Sequence, residues 1–235
     1  IDALVLDVKV GSGAFMKTVE DARELAQTMV GIGESMGKRT VALLTDMNQP
    51  LGRMVGNALE VRESIDILSG RGPEDVRELT LALAEVMLEL AGVEPSLAKI
   101  RLDDGSGLAR FADIIEAQGG DRRVIEEPER LPTAKEQLVF TAQQSGVIES
   151  MDTRGIGMAA VLLGAGRLRT DDLIDPSVGI ELDVRLGDRV DKGQPLGTIH
   201  HNGDGASIAK NRLEKAIVIG DGTAIDGPLV IERIG

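Results

Sequence analysis

Apolar positions along the chain change period several times, and each change predicts an element. Ala3 to Val8 is a short, mostly apolar run suited to a strand covered on both faces. Gly11, Ser12 and Gly13 break it. From Thr18 to about Met36 the apolar residues Val19, Ala22, Leu25, Ala26, Met29 and Val30 recur at spacings of three and four, with Thr18 ahead of Asp21 as a cap, so the segment reads as an amphipathic helix. Thr40 to Leu44 is a second strand, which makes the start of the chain a strand-helix-strand unit, by rule parallel and right-handed. A loop with Asn48, Gln49, Pro50 and Gly52 follows. Helices are predicted over Asn57 to Leu68, Pro73 to Ala91, Pro95 to Leu102 and Leu108 to Ala117, with proline at the start of the second and Gly92 past its end.

Periodicity is lost after that. The span 119–136 is charged, carries two prolines and reads as a linker. From Gln137 onward short β-like runs (LVF, GVIES, VGIEL, LGTIH) alternate with glycine turns, and Met151 to Leu163 supplies one helix. The predicted fold class is therefore α/β: part of a mostly parallel sheet flanked by helices over 1–118, a linker over 119–136, and a smaller α+β unit over 137–235. Within the latter, Leu186 to Ile199 has the β-turn-β texture of barrel-like hammerhead domains, which also occur in biotinyl and lipoyl carriers. Lys192 precedes a glycine in a tight turn there, which favours a structural reading over a carrier lysine.

Composition narrows the function classes. The 39 acidic side chains against 26 basic ones give a net charge of −13, which argues against binding a phosphate backbone. Tyrosine and tryptophan are absent and phenylalanine occurs three times, so bases have almost no aromatic platform to stack on. No cysteine is present, which removes disulfides, thiolate nucleophiles and cysteine-based zinc sites and fits a cytoplasmic location. No apolar run approaches the ~20 residues that span a bilayer. The chain opens on Ile1 and goes straight into a strand, so it reads as a piece of something longer.

Three places can carry chemistry. The loop from Val10 to Lys17 joins a strand to a helix, where α/β proteins place ligands and a helix N-terminus favours anions. Its spacing matches neither a Walker loop nor a dinucleotide fingerprint, so plain turn geometry is the competing reading. Phe15 in this loop either walls a pocket for a flat ligand or staples the helix start to the core; the residues alone favour the staple. Lys9 either meets an anion or pairs with Asp7. In the segment from Thr45 to Ser64, turn carbonyls together with Glu63 form a plausible oxygen cage for a hard cation, set against Glu60 and Glu63 as solvated helix charges. His200 and His201 are neighbours in a strand, so their side chains point apart and chelate one metal poorly.

Six strings now stand in series: DVKVGSGAFMK at 7–17, LLTDMNQPLG at 43–52, GNALEVRESI at 56–65, LPTAKEQ at 131–137, GVIESMDTRGIGMA at 146–159 and LGDRVDKGQPL at 186–196. Together they resemble the thymidine phosphorylase and pyrimidine-nucleoside phosphorylase family over essentially the whole chain. The resemblance implies cleavage of a pyrimidine nucleoside by phosphate to the free base and a pentose 1-phosphate, in a cytoplasmic homodimer. It places the family's phosphate-binding segment, active-site histidine and base-binding Arg, Ser and Lys upstream of Ile1. No catalytic residue is then expected in this chain, and the chain alone is expected to be inactive. The resemblance reverses the reading of Phe15, which corresponds to the family's base-pocket phenylalanine. It also implies a potassium site, incomplete here, with the main-chain carbonyls of Leu51 and Met54 and the carboxylate of Glu63. A stand-alone binding or biotinyl/lipoyl-like carrier module is the competing expectation.

Overall fold

Strand pairing starts where the sequence is most apolar. In the computed structural model, which describes residues 1–203, 205–224 and 227–235, Ala3–Val10 (β1) and Arg39–Asp46 (β2) run parallel, Ala3 opposite Arg39 and Val10 opposite Asp46. Val19–Ser35 (α1) connects them, and the Thr18 hydroxyl accepts the Asp21 N–H at 3.2 Å, satisfying one of the free donors of the first turn. The pleat divides β2 between two cores. Ala42 and Leu44, with Val8 and Val10, pack on Ala22, Ala26 and Val30 of α1. Val41 and Leu43 face the opposite way, onto Val86 of Glu74–Leu90, a helix numbered α3 below.

Between β2 and that helix lie Met54–Val55 (β3) and Asn57–Leu68 (α2); after it come Leu97–Asp103 (α4) and Ser106–Ala117 (α5). The span expected as a linker holds two 3-10 turns, Arg122–Ile125 and Pro128–Arg130. Then follow Glu136–Thr141 (β4), Gly146–Met151 (β5), Thr153–Leu162 (α6), Gly179–Leu182 (β6), Arg189–Val190 (β7), Pro195–His201 (β8), Ala206–Ala216 (α7), Ile217–Gly220 (β9) and Val230–Ile234 (β10).

Among the described residues these strands form three sheets in the orders β1-β2-β10, β3-β6-β8-β4 and β7-β5-β9, and none closes into a barrel. The first sheet is not mostly parallel, as the sequence pattern suggested. Only β1 and β2 are parallel; β10 lies antiparallel on β2, because it arrives from the C-terminal region rather than through a helical crossover. In return, β3 leaves the first part of the chain to pair antiparallel with β6. One strand is thus exchanged in each direction across the span 119–136. The largest core lies between α6, α7 and the second and third sheets, with Phe140, Ile148, Ile156, Ile180, Ile199 and Leu213 at its centre. The helix at α7 is an element that the sequence pattern did not predict. Gly197 is required where Phe140 crosses β8, since a Cβ there would stand 2.8 Å from the ring and 2.2 Å from the Glu181 carbonyl.

Candidate functional site

Two loops, one after β1 and one after β2, are tied together by their backbones. The Met47 N–H donates to the Val10 carbonyl at 2.6 Å and the Gly13 N–H to the Met47 carbonyl at 2.9 Å. The loop 11–17 then spends several of its donors on itself and on the loop after β2. The N–H groups of Gly11, Ser12, Gly13 and Ala14 go to Met16, Asn48, Met47 and Gly11, and the Lys17 ammonium goes to the carbonyls of Gly11 and Ser12. These four amides brace the turn rather than face a ligand, as plain turn geometry requires. Lys9 is paired with Asp7 at 2.7 Å.

Ser12 anchors the same loop to the C-terminal region. Its hydroxyl donates to the Met151 carbonyl at 2.8 Å, lies 3.1 Å from the Thr153 hydroxyl and accepts the Thr153 N–H at 3.2 Å. With its base fixed in this way, the loop presents Phe15 at 95% exposure. The ring is therefore no staple. An aromatic side chain held in solvent on a braced loop is a surface for a flat apolar partner.

The second loop carries the cation candidates. Glu63 projects from α2 and is only 8% exposed. Its carboxylate accepts the Arg53 N–H at 2.8 Å, and the neighbouring Met54 N–H favours its charged form. Burial pushes its pKa up, the Arg53 bond opposes that, and the nearby negative charge of Asp75 reinforces it. Gly52, at a φ of +71°, makes the close approach possible: a Cβ there would stand 2.2 Å from Glu63 Oε2.

Strand alternation fixes the Met54 carbonyl. The Leu182 N–H donates to the Arg53 carbonyl at 2.8 Å, so Arg53 faces β6. Met54, opposite Glu181, is then a non-hydrogen-bonded position whose N–H and C=O both turn away from β6. Among the described residues no donor of the chain reaches the Leu51 carbonyl. Leu51, Met54 and Glu63 all line one cavity of about 360 Å³, together with Lys9 and Thr153. Phe15 is not among its lining residues.

Among the described residues, two carbonyls without chain donors beside a buried carboxylate that makes no ion pair fit a hard, oxygen-loving cation. Among the described residues no group of three His, Asp or Glu side chains is gathered as for a transition metal. His200 and His201 do not converge: His201 Nδ1 accepts the Gly203 N–H at 3.1 Å, and His200 Nε2 lies 3.4 Å from Glu181. The sequence pattern placed Ser12 and Asn48 in these loops but gave no sign of their contacts, nor of Thr153, Asp75 or Arg185 as partners, because the partners lie as far as 141 positions away.

Comparison with known proteins decides the family. Residues 1–110 match the glycosyl transferase family a/b domain, and residues 147–220 match the pyrimidine nucleoside phosphorylase C-terminal domain. Pyrimidine-nucleoside phosphorylases from Staphylococcus aureus strains bovine RF122 / ET3-1, USA300 and NCTC 8325 / PS 47 are 46% identical over 239 aligned residues, covering 99% of this chain. The chain belongs to the pyrimidine-nucleoside phosphorylase family. It spans 55% of the length of those relatives. The family's C-terminal match begins inside β5, close to the Met151–Thr153 segment that Ser12 holds. No helix among the described residues is long and apolar enough to cross a membrane.

Proposed function

We propose that this chain is the C-terminal portion of a pyrimidine-nucleoside phosphorylase that converts thymidine and phosphate to thymine and 2-deoxyribose 1-phosphate, in a cytoplasmic homodimer. The observation that carries the reading is Phe15: a solvent-facing ring on a loop whose base is braced by the amides of Gly11, Ser12, Gly13 and Ala14 and by the Lys17 ammonium. Its role is to form one wall of the base pocket.

Cleavage of the glycosidic bond builds positive charge on the sugar and negative charge on the departing pyrimidine. The reaction therefore needs an anionic phosphate beneath the sugar and donors around the base, held in a cleft that excludes water. The amides of Gly11, Ser12, Gly13 and Ala14 are committed to bracing the loop and serve neither task. Phe15 orients the base by stacking, and the reactive groups come from elsewhere in the full protein. At the second loop, the Leu51 and Met54 carbonyls and the Glu63 carboxylate would hold potassium, which supplies a fixed positive charge that draws chain segments together.

The test is phosphate-dependent release of thymine from thymidine, with and without the upstream segment supplied. The chain alone is expected to give none, and turnover by the chain alone defeats the proposal. Intact-mass measurement addresses the competing carrier reading, which needs a biotin or lipoate adduct on Lys192.

A further inference from the structure

The loop that carries Leu51 and Met54 is held from the far end of the sequence by one side chain. Arg185 lies between β6 and β7 and sends its guanidinium inward, leaving 17% of the side chain exposed. One terminal nitrogen donates to the carbonyls of both Pro50 and Gly52 at 2.6 Å, and the other pairs with the Asp75 carboxylate. Asp75 in turn accepts the Gly52 N–H at 3.0 Å. The neighbouring Leu186 N–H donates to the Gln49 side chain at 3.0 Å.

The pattern is selective. Arg185 takes the carbonyls on either side of Leu51 and leaves that of Leu51 itself without a donor. Glu63 fixes the next amide, that of Arg53, with the Met54 amide beside it. A planar guanidinium can hold two carbonyls and a carboxylate at once, whereas an ammonium acts as a compact point charge. We infer that Arg185 is a positioning residue for a potassium-sized cation: from the C-terminal half of the chain it sets the Leu51 and Met54 carbonyls against Glu63. This role rests on the cation reading of that loop.

Charge and position predict opposite outcomes, which makes the inference testable. A guanidinium beside a cation site repels the cation, so charge alone predicts tighter binding when it is removed. Positioning predicts weaker binding, because the segment 50–52 loses the side chain that holds it.

Thermal unfolding of the chain is followed in KCl and in NaCl at equal ionic strength, for the parent, R185Q, R185K and the control R23Q. The control removes a contact to Glu232. The parent should gain a potassium-specific increment in Tm. In R185Q the KCl concentration giving half that increment should rise about ten-fold, the lower end of what is seen when groups that orient metal ligands are lost. R185K, which keeps the charge and part of the bonding, should fall between and covers the case in which R185Q does not fold. R23Q should lose stability equally in both salts and keep the parent's midpoint. Amide exchange at Leu51, Gly52 and Arg53 without potassium should quicken in R185Q and not in R23Q.

An unchanged or lower potassium midpoint in R185Q or R185K, with the parent increment present, overturns the role of Arg185 and leaves the cation reading standing. A parent without any potassium-specific increment overturns the cation reading and this role with it.

Discussion

At the scale of single residues, Glu63 joins two requirements that pull against each other. Its carboxylate organises the backbone at Arg53 and Met54, yet burial disfavours its charge and pushes its pKa up. A carboxyl whose pKa is raised on folding contributes stability that is fully present below its unfolded value, near 4.5, and is lost as pH rises through the folded value. E63Q keeps an oxygen that can accept the Arg53 N–H and has no charge to bury. In potassium-free buffer, the Tm of E63Q relative to the parent should therefore rise between pH 4 and pH 8. A relative Tm that falls over that interval would show that the hydrogen bonds outweigh burial. Phe15 is the opposite case. The residues alone favoured a core staple, and the ring instead stands in solvent, because Ser12 and Asn48 do the fastening.

Helices with strong punctuation were legible in the sequence. The segment Asn57–Leu68 forms as predicted, with Gly56 before it and Gly70 beyond it, each at positive φ. The helix α7 was not legible, because its buried stripe is Ala206, Ala209, Leu213 and Ala216, and three alanines give a weak hydrophobic signal. Tertiary packing gives this helix its place: Leu213 is fully buried in the largest core. L213A should cost about 2–5 kcal/mol, as large-to-alanine changes in well-packed cores do, measured by urea unfolding. A cost below about 1 kcal/mol would mean that α7 is held by its ends rather than by its face.

Across the whole molecule, the exchange of β3 and β10 ties the first sheet to the C-terminal region. Val230, Ile231 and Ile234 pack on the first sheet's two cores, and β10 covers the edge of β2. Removal of residues 229–235 uncovers the edge of a strand whose Val41, Ala42, Leu43 and Leu44 are all buried. An exposed apolar edge invites pairing with another chain. The truncated chain should show a lower Tm and concentration-dependent association by size-exclusion chromatography. A monomeric product with the parent's Tm would show that β10 is dispensable. The brace from Ser12 to Thr153 and the contacts of Arg185 belong to this scale too, since each joins a loop of the first sheet to the C-terminal region.

Local pattern by itself determined the first strand-helix-strand unit, the run of helices that follows, and the chemical character of the loops after β1 and β2. Apolar period, caps and glycines act over a few residues and are written in order. The family resemblance singled out Phe15, Leu51, Met54 and Glu63. Tertiary structure decided what those residues face. It exposed Phe15, turned the Met54 carbonyl away from β6 through the register of that pairing, and brought Arg185 to Asp75 across 110 positions. Contacts of that span depend on how separate sheets pack, and no periodicity within a short stretch of chain encodes them.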